Sequence, residues 1–79
     1  MNQTAGERTA ATVRAELARQ RITGRELSRE LKWSATSTWR RLSGDVPFDI
    51  DELAAIGRVL NVPLCQLVTD AEPADALSA

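Results

Sequence analysis

Residues 32–44, KWSATSTWRRLSG, set five hydroxyl side chains, two tryptophans and three cations in thirteen positions, and the only other aromatic of the chain is Phe48. These residue types suit the edges of base pairs. Arginine can place two parallel donors on O6 and N7 of a guanine, threonine offers thymine both a hydroxyl and a methyl, and serine either donates or accepts. The same residues also make an ordinary solvated helix face, so their spacing matters. Read as a helix from Ala35 to about Ser43 with Leu42 facing the core, the stretch turns Ala35, Thr38 and Trp39 toward that side. Thr36, Ser37 and Arg40 then lie largely opposite, with Arg41 flanking them. Trp33 takes an apolar position between helices.

Other chemistry is poorly supplied. The chain has 79 residues, no histidine and one cysteine, Cys65, which excludes a histidine base, a Cys/His zinc cluster and an internal disulfide. The acids are scattered, with no nucleophile–base pair and no glycine-rich phosphate loop, so neither an enzyme nor a metal or cofactor site is expected. Cys65 lies within VPLCQLV and reads as a small buried apolar residue. No run of about 18 apolar residues is present to span a membrane, and the stretch from Met1 to Arg8 is polar without an apolar signal core. The expectation is a reduced, cytoplasmic protein. Its net charge of −1 hides a division: residues 1–44 carry nine Arg/Lys and four Asp/Glu, giving +5, while residues 45–79 carry one Arg and seven acids, giving −6. A basic half of this kind suits a polyanion.

The elements that must position these residues all read as helices. From Thr9 to Arg21, Val13 and Leu17 stand four apart, with Ala10 and Ala18 beside them, on an otherwise charged helix. In TGRELSREL, Thr23 and Glu26 form a capping box and Leu27 and Leu31 an apolar pair, predicting a short helix over about Gly24 to Leu31. Ser34 is the cap of the quoted helix, and Gly44 ends it. FDIDEL carries the clearest local signal: Asp49 as N-cap, Glu52 as its capping-box partner, and Phe48 as a staple to Leu53. That helix runs to Leu60 with a core stripe of Ile50, Leu53, Ile56 and Leu60, and is stopped by Asn61 and Val62-Pro63. Pro63 opens a last short helix presenting Leu64, Leu67 and Val68.

On these residues the chain resembles the lambda-repressor-like helix-turn-helix family, which includes phage repressors, Cro proteins and xenobiotic-response-element regulators. The similarity runs from Ile22 to Val68, with the first helix fitting as well. Its most specific pieces are Thr23 with Glu26-Leu27, Leu42 with Gly44, and the tract from Pro47 through Leu60 to Val62. The resemblance implies that the start of the helix over Gly24 to Leu31 and the loop after the helix from Ala35 to about Ser43 grip phosphates, while exposed residues of the latter helix read bases. Thr36, Ser37, Arg40 and Arg41 are then the base readers, and Thr23, Gly24, Arg25, Lys32, Ser43 and Gly44 the phosphate contacts. Two positions depart from the family pattern. Lys32 stands where a left-handed glycine is usual, and Thr38 stands where a buried apolar residue is usual. The sequence favours a turn rebuilt with one extra residue that brings Trp39 into the core; in the alternative, Lys32 is left-handed, Thr38 turns inward and Trp39 faces the DNA.

The expectation is an all-α fold, a compact bundle of about five short helices containing a helix-turn-helix. Residues 1–8 are expected to be a flexible N-terminus, 9–69 the DNA-binding domain and 70–79 an acidic, disordered tail. The expected activity is sequence-specific binding of double-stranded DNA by a small regulator of the phage-repressor or Cro type, associated with the nucleoid. Both a homodimer on a two-fold operator and a monomer stay open. The alternatives are an antitoxin-type regulator and a protein-interaction module that has kept the fold without DNA affinity.

Overall fold

The computed structural model describes residues 3–68, and the tail expected from residue 70 onward lies outside them. Within this span the fold is all-α, with five helices and no strand among the described residues: α1 (Ala5–Gln20), α2 (Gly24–Leu31), α3 (Ala35–Leu42), α4 (Ile50–Leu60) and α5 (Leu64–Val68).

Four of the five starts are set by side-chain caps. Thr23 and Glu26 close the expected capping box on α2, with the Glu26 amide donating to Thr23 Oγ1 at 3.0 Å and the Thr23 amide donating to Glu26 Oε1 at 3.1 Å. Asp49 and Glu52 do the same for α4 at 2.7 and 2.9 Å, and Ser34 accepts the Ser37 amide at the head of α3. The fourth was not expected. Thr4 and Glu7 form a further capping box, so α1 begins at Ala5, four residues before the expected start at Thr9. Residues 5–8, expected to be flexible, are therefore helical. Each cap supplies partners for amides that the first turn leaves open, worth about 1 kcal/mol.

Three helix ends share one device. Arg21, Lys32 and Asn61, none of them glycine, take left-handed backbones with φ of 58–59°. The next residue in each case, Ile22, Trp33 or Val62, donates its amide back to the carbonyl five residues earlier, on Leu17, Ser28 and Gly57, at 2.9 to 3.0 Å. The side chains of Ile22, Trp33 and Val62 all return to the core. This is the Schellman arrangement with its apolar contact, and the contact offsets the steric cost of a left-handed non-glycine residue. At the α4 end the geometry requires Gly57, since a Cβ there would stand 2.7 Å from the Val62 carbonyl oxygen.

The core is one cluster: Val13 and Leu17 from α1, Leu27 from α2, Leu53, Ile56 and Leu60 from α4, and Leu67 from α5. Trp33, Leu42 and Phe48 pack against it half-buried. Three expectations fail here. Ile50 is 64% exposed rather than part of the stripe, because it occupies the first turn of α4, and the preceding Phe48 takes the place beside the core. Ala18 faces solvent, and Cys65 is exposed, because the buried side of the five-residue α5 is taken by Leu67. A half-buried polar tie joins α1 to α4: the Gln20 side-chain amide donates to both Glu16 and the Leu60 carbonyl, at 2.8 and 2.9 Å.

Candidate nucleic-acid interface

Helices α2 and α3 pack directly on each other across a turn of three residues, Lys32, Trp33 and Ser34. Lys32 has φ 59° and ψ 34°. The turn has therefore not been rebuilt, and the lysine occupies the left-handed position directly. Trp33 pays part of that cost by packing on the core while its amide holds the Ser28 carbonyl.

The same register settles Thr38 and Trp39 against the favoured expectation. Thr38 is 2% exposed and Trp39 is 65% exposed. Threonine can be buried here because its hydroxyl donates to the Ser34 carbonyl at 2.9 Å within its own helix, leaving no orphaned polar atom. With Trp33 already filling the space between the helices, Trp39 stands outward.

The exposed side of α3 carries Ala35, Thr36, Trp39 and Arg40, and the exposed Ser43 follows at its C-cap. Arg41 and Ser37, expected among the base readers, sit half-buried on the flank toward α4. Arg41 Nε donates to Glu52 Oε2 at 2.9 Å and its Nη1 to the Ser37 carbonyl at 3.1 Å. Glu52 thus does two jobs, since its other carboxylate oxygen caps the Asp49 amide. On the opposite flank, Arg14 of α1 donates to the Leu42 carbonyl at the end of α3. A cation suits the open carbonyls of a helix C-terminus, so Arg14 ties the last turn of α3 to α1, while Arg41 ties α3 to α4 through Glu52. Arg14 escaped the sequence reading because its partner lies 28 residues away. The Arg41–Glu52 pair had a signal, opposite charges on either side of the Gly44 turn.

The expected phosphate contacts divide. Arg25 and Lys32 are exposed with their charges toward solvent. Thr23 is already engaged as the α2 cap, and its amide holds the Glu26 carboxyl below the ordinary value of 4.5, so an ionised carboxylate stands at that helix start. Gly24 is half-buried against Leu42. The first-turn amides of Gly24 and Arg25 remain the open donors of this end. After α3, the Ser43 hydroxyl donates to the Arg40 carbonyl at 2.9 Å, and Gly44 takes φ 93°, a conformation that suits glycine. Asp45, Asp49 and Asp51 are all exposed just beyond. Exposed cations therefore stand along α2, its turn and α3 at Arg25, Arg29, Lys32 and Arg40, alternating on α2 with the exposed Glu26 and Glu30, and exposed acids follow again beyond Gly44.

Among the described residues no helix is long and apolar enough to cross a membrane, and no cluster of three or more His, Cys, Asp or Glu could hold a metal ion. Neither curated proteins nor solved structures give a significant match to the chain. The family model described as the BetR domain matches residues 4–78, almost the whole chain, and that family is linked to helix-turn-helix regulation of DNA. With a paired α2–α3 unit inside a match of that length, the chain belongs to the BetR domain family.

Proposed function

We propose that the protein is a sequence-specific double-stranded DNA-binding regulator, of the small phage-repressor or Cro kind, that lays α3 in the major groove. The observation that carries the reading is the outward face of α3. Thr36 and Arg40 stand exposed on a helix held at both flanks by Arg14 and Arg41, over a pair geometry that suits the groove. In this reading Arg40 and Thr36 touch base edges, and Ser37 lies at the margin of the reading face. Arg41 sets the pose of α3 through Glu52. Arg25, Lys32, Ser43 and the first amides of α2 hold phosphates. The reaction is binding alone, with no catalytic step and no cofactor, and the protein works in the cytoplasm on the nucleoid.

A different class of reading, a protein-interaction module, draws on the exposed Asp45, Asp49 and Asp51 beside α3. Selection from random duplex DNA separates the two. A regulator enriches one motif over successive rounds, and a two-fold symmetric motif would also make it a dimer on DNA. A protein-interaction module enriches none.

A further inference from the structure

The reading face of α3 has two tracks. Thr36, Arg40 and Ser43 make a polar one, and Ala35 and Trp39, four residues apart and both exposed, make an apolar one beside it. Trp39 also borders a shallow apolar groove formed with Leu17, Ala18, Ile22 and Leu42 and reaching Gly24 at the head of α2. Trp39 is 65% exposed and continuous with that groove, so the two form one outward apolar patch rather than a scattered apolar residue. Trp39 contributes nothing comparable to the core, which Trp33 and the aliphatic cluster fill.

Resting on the DNA-binding reading above, we propose that Ala35 and Trp39 are a specificity site for the 5-methyl group of thymine. On the floor of the major groove that methyl is the one apolar feature a base pair presents, and apolar side chains are its usual partners. The occupant follows from the surroundings. The apolar strip is bounded by Arg40 on α3, and the groove that it borders is lined by Arg14 and reaches Gly24 at the head of α2, where first-turn amides stand open; these are cations and donors that suit a polyanion. An apolar strip so framed meets nucleic acid rather than an apolar protein surface. Trp39 further offers an indole N–H, which can donate to a phosphate or base acceptor at the groove edge.

The test uses the full chain and the duplex recovered by selection, replacing each thymine in turn by deoxyuridine, which removes one methyl group and nothing else. For the unsubstituted protein, at least one replacement in the contacted site should weaken binding about three- to tenfold, the size expected for one methyl withdrawn from apolar contact. For Trp39→Ala that same replacement should have little further effect, while replacements elsewhere keep theirs. Thermal unfolding of Trp39→Ala should match the parent within a few degrees, which separates lost contact from lost fold. The site is overturned if no replacement weakens binding, or if the sensitive ones weaken the parent and Trp39→Ala by the same factor. A selection that enriches no motif overturns the DNA-binding reading, and the thymine site falls with it.

Discussion

Lys32 is the residue on which the register of α3 turns. A non-glycine residue at φ 59° carries a steric cost of roughly 1–2 kcal/mol, from which glycine's greater freedom in the unfolded chain subtracts about half. Lys32→Gly should therefore stabilise the fold by about 0.5–1 kcal/mol in chemical denaturation, and an unchanged or lowered midpoint would contradict the turn described here. Trp39→Ala should shift folding stability by no more than about 0.5 kcal/mol, as for other exposed positions, where a buried tryptophan would cost about 3–5 kcal/mol. The opposite assignment follows from the sequence alone because it keeps a hydroxyl out of the core and spares a lysine the left-handed region. Two facts outweighed that logic. Thr38 satisfies its hydroxyl on Ser34, and the apolar residue after each left-handed position, Ile22, Trp33 and Val62, anchors the turn whether or not a glycine precedes it. That apolar residue was the usable signal, and it was present three times.

At the scale of elements, what was legible was local. Capping boxes at Thr23 and Asp49 lie three residues from their partners, and the apolar periodicity of α1, α2 and α4 is read directly along the chain. The early start of α1 was missed because Thr4 and Glu7 cap a first turn that buries little, and the ties on α3 were missed because they join separate helices. Arg41→Ala should lower stability by up to about 1 kcal/mol, as for a partly exposed ion pair, and leave the selected motif unchanged. A changed motif would put Arg41 at the bases. The caps also set a pH dependence. The amide of Thr4 holds the Glu7 carboxyl below the ordinary 4.5, the amide of Thr23 does so for Glu26, and bonds from Arg19 and then Gln20 do so for Glu16. Groups with lowered folded values stabilise the fold fully above their unfolded value and lose that contribution as pH falls through the lowered one. Denaturation midpoints should therefore stay level from about pH 7 to 5 and fall below about 4.5. A flat profile down to about pH 3 would mean that the bonds to these carboxylates do not support the fold.

Over the whole molecule, Arg25, Lys32 and Arg40 stand exposed on α2, its turn and α3, with Glu26 and Glu30 exposed among them on α2, and Asp45, Asp49 and Asp51 stand exposed beyond Gly44. Fold class, the helix pair and the exposure of Arg25, Lys32 and Arg40 were legible because they follow from periodicity and caps; the turning of Arg41 toward Glu52 was not, since it depends on a contact between helices. Arg25→Ala should weaken binding to all duplexes alike and flatten the slope of log K against log salt by about one unit, as for one lost phosphate contact. An unchanged slope would remove Arg25 from the interface. The central claim, that the outward face of α3 reads bases, is tested most directly by the affinity of Arg40→Ala for the selected duplex and for an unrelated one at the same salt. Loss of about 1–3 kcal/mol on the selected duplex with little change on the unrelated one is predicted. Equal losses on both would make Arg40 a phosphate contact and contradict the account.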